Sequence, residues 1–374
     1  MRIPRSATSF LIALEAVAMV IVLVLCIVHP WATKPKNDIG GNHTEIVEEE
    51  TGVEQNTENQ IGSVVGSETE MESEEESEVA FSAEVLAKVD AMNVEQKVAQ
   101  LFVITPEALT GTTKVTLTGN TTKAAIEKYP VGGLVYSSIN FQNKNQVKNM
   151  LNGVENHYMT KFGISPFLMI SEQGGADSSP LAKAVNYAVA SAPTEIGASG
   201  DAQNAVKAAT DIATYLKEAG FNINMAPNVQ IYSQSNAVSS TMVAETVSTF
   251  GEKGIATVMF TFSSDKVGAS QDELLVYKAG IDAGCDCIMV SGVSKEMVTF
   301  LRSNMKYDGI VMSDSLSADQ VVNAVQAGVD MMYCPENFKE AYQKVLDAAN
   351  SGAISKEVLD TAVARILTCK ASYE

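Results

Sequence analysis

The chain has 374 residues, with 26 Lys plus Arg against 45 Asp plus Glu and a formal net charge of −19 at pH 7. A balance of that sign excludes the basic stripe on which nucleic-acid binding depends, so no nucleic acid is expected as a partner. The charge is also uneven: residues 1–36 carry four basic groups and one acid, residues 37–80 carry fourteen acids and no Lys or Arg, and residues 81–374 hold 22 basic and 30 acidic residues.

Residues 1–9 are a short N-terminal segment. From Phe10 to Val28 the chain is apolar except for Glu15. That length just crosses a hydrocarbon core of roughly 30 Å at about 1.5 Å per residue. Trp31 follows, where an interfacial aromatic would sit. Residues 10–31 therefore read as a transmembrane signal anchor, with a cleaved signal peptide as the alternative; His29, Pro30 and Trp31 leave no small-x-small cleavage site. The expected placement is the cell membrane, single-pass, with the globular part on the extracytoplasmic side. The flanking basic residues tie, two on each side, so they do not fix the orientation. Residues 37–80 contain no aromatic residue and are rich in Glu, Ser, Thr, Gly and Asn. Such a stretch cannot bury enough apolar surface to offset its ordering entropy, and it reads as a disordered acidic linker.

From residue 81 to 374 short apolar runs alternate with amphipathic helices. The runs are LFVI (101–104), GGLVYS (132–137), FLMIS (167–171), INMAP (223–227), TVMFTF (257–262), CIMVS (287–291), GIVMSD (309–314) and MMYCP (331–335). Continuous runs, as opposed to alternating ones, mark parallel strands buried on both faces. Among the helices, 201–219 stops at Gly220. Asn93 to Gln96 and Ser317 to Gln320 both fit capping boxes. Val358, Leu359, Ala362, Val363, Ile366 and Leu367 mark one apolar face of a closing helix. Eight strands with intervening helices predict an α/β fold, a (β/α)8 TIM-like barrel, over 81–374. A doubly wound open sheet is the alternative, but no G-x-G-x-x-G follows the first strand. Barrel chemistry sits at the C-terminal strand ends, which directs attention to Ser171–Gly175, Asn228–Gln230, Phe260–Asp265, Ser291 and Asp314.

Five cysteines show no pairing pattern, and the C-x-C of Cys285 and Cys287 has no histidine neighbour. They read as small buried hydrophobes. No metal and no cofactor are expected. His157 lies in a polar helical stretch and reads as a surface residue.

At these positions the chain resembles glycoside hydrolase family 3 in its single-barrel, β-N-acetylhexosaminidase-like form. MNVEQKVAQLFVI is similar to the opening helix and strand, and YPVGGLVYSSINFQNKNQVKNM to the second βα unit. SEQGG (171–175) stands at the D-x-E-G-G position, and GFNINMAPNVQ (220–230) at the strand that ends A-P-x-x-D. YDGIVMSDSLSA (307–318) is similar to the seventh strand with its S-D motif. AGVDMMYCP and AVARILTCK complete a resemblance running from about Met92 to Lys370. It implies a retaining glycosidase in which Asp314 takes the nucleophile position, where a carboxylate must form the glycosyl ester.

The resemblance also defines what is substituted. Ser171 stands where the family has a sugar-binding aspartate, and Glu172 and Gln173 are in swapped order. Gln230 replaces the aspartate after the A-P turn. The family's Lys-His pair reads Phe260-Thr261. The loop that would carry a His-Asp acid/base dyad, Ser263–Gln271, has no histidine, and no arginine occurs between Arg5 and Arg302. General acid catalysis contributes about 10²–10⁴-fold, and charge-assisted bonds to hydroxyls exceed neutral ones. Substrate contacts therefore fall to Ser171, Glu172, Gln230 and Thr261, and a substitute acid to Asp265 or Glu172. The expectation is a membrane-anchored, exported protein of cell-wall or N-acetylglucosamine-type glycan metabolism whose activity is weak or lost. The alternative is a catalytically inactive barrel, a pseudoenzyme, that binds a glycan or a partner protein at the cell surface. The oligomeric state is left open.

Overall fold

The computed structural model describes residues 80–233 and 235–373, apart from the side chain of Thr261. Eight parallel strands close into a barrel: β1 (Phe102–Ile104), β2 (Gly133–Val135), β3 (Phe167–Ile170), β4 (Ile223–Asn224), β5 (Ala256–Ser263), β6 (Cys287–Ser291), β7 (Ile310–Ser313) and β8 (Met331–Tyr333). Each pairs with its neighbours in sequence, and β8 returns to β1 with Phe102 opposite Met332. The eight runs of the sequence are the eight strands, and the fold is a (β/α)8 barrel. Both faces of the sheet are buried: Phe102, Leu134, Leu168, Ile223, Val258, Ile288, Val311 and Met331 are all at most 1% exposed, and Phe102 packs on Phe338 and Tyr342 of the surrounding helix Phe338–Asn350.

Local chemistry accounts for the elements. Asn93 and Gln96 form the reciprocal capping box that starts the helix Val94–Gln100. Asp201 caps Ala202–Ala219, which ends on Gly220 in the left-handed conformation. Leu359, Ala362, Val363, Ile366 and Leu367 bury one face of the closing helix Lys356–Ala371. The second box is different: the Gln320 side chain accepts from Ser317 N and Oγ, but the helix begins only at Val321 and has no side-chain cap. Residues 317–320 instead form a turn closed by Gln320 N–H on Ser317 O at 3.0 Å, the Ser317 side chain not taking that N–H. β4 is shorter than its apolar run because Ala226 N–H turns back to Asn224 O at 2.8 Å. Two asparagines compensate along this edge. Asn222 takes Leu168 N–H and donates to Pro166 O, and Asn224 does the same with Glu172 N–H and Glu172 O.

The N-terminal end of the barrel holds a dense set of charges. Asp330, 1% exposed, meets Arg302 at 2.7 Å and Arg365 at 3.2 Å, and accepts Val311 N–H. Arg302 also donates to Tyr307 O and Gly309 O. Lys370 donates to Gln100, and Lys97 pairs with Asp360 at 2.6 Å. Asp286 accepts from Thr257 and Tyr373, and burial raises its pKa. Here Gly132 has a steric reason: a Cβ would lie 2.1 Å from Gln100 O.

Two expectations need correction. Among the described residues no helix is long and apolar enough to cross a membrane. The longest, Lys144–Phe162, is interrupted by Lys144, Lys148, Glu155 and Lys161. The expected placement at the cell membrane, with the barrel on the extracytoplasmic side, therefore finds no spanning helix and is withdrawn. The anchor at 10–31 and most of the linker at 37–80 lie outside the described residues. His157 is not a surface residue either: its side chain is 11% exposed and lies 3.2 Å from Glu127. Cys285 and Cys287 are buried free thiols, as expected, while Cys334 and Cys369 are half-buried.

Candidate active site

A cavity of about 610 Å³ opens at the C-terminal end of the barrel, within the size range of small-ligand sites. Its wall comes from five successive strands and the segments that follow them. Ser171, Gln173, Asp177, Ser178 and Pro180 follow β3; Asn228 follows β4; Phe260 lies in β5; Met289, Val290 and Ser291 belong to β6; Asp314 follows β7.

Asp314 leaves the strand with its N–H on Val290 O at 2.9 Å. Its carboxyl is half-buried, and burial raises its pKa above the ordinary aspartate value. Among the described residues no Lys, Arg or His lines the cavity, so no cation offsets that desolvation.

Ser171 and Gln173 face inward but are partly engaged with the backbone. Ser171 Oγ donates to Met225 O at 3.2 Å. Gln173 Nε2 donates to Met225 O at 2.6 Å, and Gln173 Oε1 accepts Asn228 N–H at 3.1 Å. The serine in the aspartate position thus ties β3 to the β4 loop. Gly174 holds this turn at φ +85°, and a Cβ there would lie 2.3 Å from Ser191 O.

Glu172 points away from the cavity and is fully buried. Its carboxylate accepts Leu181 N–H and Ala182 N–H at the start of the helix Pro180–Val185, and the Tyr215 hydroxyl at 2.9 Å. Burial pushes its pKa up to about 7 against these bonds. It anchors the wall loop from behind; it does not reach the site of a leaving-group oxygen.

The other predicted residues fall outside. Asp265 is exposed, bonded to Ser263 and 3.1 Å from Lys266, and these neighbours lower its pKa. Gln230 is exposed, its N–H on Asn228 Oδ1, and Asn228 takes its place on the wall. The Thr261 side chain lies outside the described residues. The register of β5 against β6 shifts between Met259 and Phe262, a bulge of the kind that re-aims side chains beside sites. Phe260, there, contributes an aromatic ring to the wall.

Sequence reasoning missed Asp177. It lies well past the end of β3 in a loop without regular structure, so strand position gave no signal for it, and only the folding back of 171–180 brings it to the cavity. No group of His, Cys, Asp and Glu suited to a metal ion occurs among the described residues. The two arginines among the described residues, Arg302 and Arg365, are at the opposite end of the barrel, on Asp330.

Residues 249–369 match the family described as Glycosyl hydrolase family 3 N terminal domain. A β-N-acetylglucosaminidase/β-glucosidase of Cellulomonas fimi is 24% identical over 47% of this chain and 43% of its own length. β-Hexosaminidase A of Pseudoalteromonas piscicida is 22% identical over 66% of this chain and 54% of its own. The chain thus spans about half the length of these curated relatives. Among solved structures, a family 3 β-N-acetylglucosaminidase of a Paenibacillus species superposes with a TM-score of 0.68 at 23% identity, over 76% of this chain and 63% of that one. The β-N-acetylhexosaminidase of Beutenbergia cavernae gives 0.60 at 20% identity, over 75% and 99%. These structural likenesses establish the barrel, and the family match over residues 249–369 agrees with the resemblance read from the motifs: the chain is similar to glycoside hydrolase family 3.

Proposed function

We propose that this chain serves carbohydrate metabolism by holding a neutral saccharide, of the N-acetylglucosamine type for which its relatives are named, against Asp314, with hydrolysis weak or lost. The observation that carries the reading is the composition of the cavity wall. Its charged groups are Asp314 and Asp177, both acidic, beside Ser171, Ser178, Asn228, Ser291 and the Phe260 ring. Hydroxyl and amide groups bond sugar hydroxyls, and an aromatic face packs on the apolar side of a pyranose ring. Two carboxylates disfavour anionic sugars. Breaking a glycosidic bond needs a proton donor for the leaving oxygen as well as a nucleophile. Glu172 is bonded behind the wall and Asp265 is paired in solvent, so neither supports that role.

Asp177 favours a second reading, slow retaining hydrolysis with Asp314 as nucleophile and Asp177 as the acid. A retaining pair works at a carboxyl separation of roughly 5–5.5 Å. Incubating the full chain with an aryl N-acetyl-β-glucosaminide, alongside Asp314→Ala and Asp177→Asn, separates the two readings. The first predicts measurable saccharide binding and turnover at background in all three proteins. Turnover well above background that disappears in both variants would replace it with the second. Turnover that survives Asp314→Ala would remove Asp314 from the nucleophile role altogether.

A further inference from the structure

The segment 173–180 supplies Gln173, Asp177, Ser178 and Pro180 to the cavity wall. It leaves β3 through Gly174 and Gly175, both left-handed at φ +85° and +74°, and residues 176–178 are exposed. Two backbone bonds close it, Gln173 N–H on Ser178 O and Gly175 N–H on Ala190 O, each at 2.9 Å. It runs into the helix Pro180–Val185, which has six residues and no side-chain cap from Ser179. A helix that short does not persist on its own.

Glu172 holds this helix in place. Its buried carboxylate accepts Leu181 N–H, and Ala182 N–H at 3.3 Å, two donors that a capping side chain would otherwise take. Tyr215, on the helix Ala202–Ala219, donates a third bond at 2.9 Å. Among the described residues no cation bonds the carboxylate. Asp211 acts on Tyr215 from the same helix and is itself paired with Lys207 at 2.6 Å. Beyond Tyr215 lies the stacked Tyr187 ring, with Lys144 over it at 3.7 Å and Glu218 beside it. From β4, the neutral Asn224 amide bonds only the Glu172 backbone. A carboxylate placed in this way ionises against a desolvation cost that opening of the segment to water removes.

We propose that Glu172 is a pH-sensitive latch on the cavity wall: protonated, it keeps 173–185 closed, and ionised, it favours an opening that takes Gln173, Asp177 and Ser178 off the wall. The latch goes beyond the saccharide reading and does not depend on what the cavity holds. The closed carboxyl titrates at about 7 and a hydrated one at the ordinary 4.5. The opening constant is therefore lowest below about 4.5, climbs between those values and levels off above about 7.

Hydrogen exchange of the full chain without ligand, read by mass spectrometry on peptides covering 173–185 and corrected for the intrinsic chemical rate, tests it. From pH 5 to pH 7.5 exchange of this segment rises roughly fiftyfold. It stays faster than that of β3 and β7 and does not respond to low urea, the mark of a local opening. In Glu172→Gln, whose amide keeps an acceptor for Leu181 N–H, the rise is gone. Tyr215→Phe covers the case in which Glu172→Gln does not fold. It removes a bond that is stronger to the ionised carboxyl than to the neutral one, so it speeds exchange more at pH 7.5 than at pH 5. A flat profile in the unaltered chain, a rise that persists in Glu172→Gln, or an equal effect of Tyr215→Phe at both pH values overturns the latch. So does exchange of 173–185 that matches the strands in rate and urea response, because then only global unfolding frees the segment. Saccharide binding, present or absent, alters none of these outcomes, so the latch and the saccharide reading fail separately.

Discussion

The two ends of the barrel use charge in opposite ways. At the N-terminal end four buried or half-buried cations have fixed partners: Arg302 and Arg365 close on Asp330, Lys370 on Gln100, and Lys97 on Asp360. These contacts join the starts of β7 and β8 to the closing helix, 35 residues downstream in the case of Asp330 and Arg365. At the C-terminal end the cavity has two carboxylates and no cation among the described residues. The first end pairs these cations with anions or an amide and holds its unpaired acid, Asp286, with Thr257 and Tyr373; the second leaves a half-buried acid, Asp314, open to a cavity with no cation on its wall. In a barrel of this kind the first pattern belongs to stability and the second to a site. Among the described residues the arginines that could clamp a sugar, Arg302 and Arg365, are thus engaged at the other end.

The largest effect is expected at the satisfied end. Asp330→Ala leaves two largely buried guanidinium groups without their anion and lowers stability by about 3–5 kcal/mol. Urea denaturation followed by circular dichroism measures it. Saccharide affinity of the folded fraction stays unchanged, and a parallel loss of affinity would show that the two ends are not independent.

Glu172 comes next, because it is buried behind the cavity wall with hydrogen bonds but no cation among them. The folded carboxyl keeps its proton up to about 7, against an ordinary value of 4.5. Between those pH values the folded state binds more protons than the unfolded one, so stability falls as pH rises. The contribution is full below about 4.5, is lost as pH rises through about 7, and amounts to roughly 3 kcal/mol. Glu172→Gln flattens that part of the stability–pH curve. An unchanged slope in the variant would mean that another group titrates.

Asp314→Asn sharpens the contrast by its sign. Removing a half-buried acid that has no cationic partner raises stability by up to about 1 kcal/mol, the reverse of Asp330→Ala, and a thermal melt at neutral pH reads the difference. A destabilised variant would reveal a compensating contact to the carboxylate. The smallest effect belongs to Asp265→Asn. An exposed carboxylate with a surface lysine changes stability and saccharide affinity by less than about 0.5 kcal/mol, and a larger loss of affinity would bring that loop back into the site.

Much of this protein was legible in the sequence because the signals are local. Strands buried on both faces must be continuous apolar runs, and eight such runs became eight strands. Asp314 at the end of GIVMSD reached the cavity because a strand end in a barrel has one place to go. What failed depended on direction and distance. Glu172 and Gln173 are neighbours, but successive side chains at a strand end point to opposite sides, and the acid turned into the core while the amide turned to the cavity. Gln230 stayed in solvent while Asn228 took the wall, because the turn after β4 ends the strand earlier than its apolar run suggests.

The sequence by itself determined the barrel, the identity of the lone acid after β7 and the scarcity of cations, since each follows from residue type and periodicity. Only the tertiary structure decided where those few cations went, that Asp177 shares a cavity with Asp314, and that Glu172 holds the Asp177 loop from behind. Those facts depend on loops that fold back across the barrel mouth and on partners far apart in the chain. No local pattern encodes such distances.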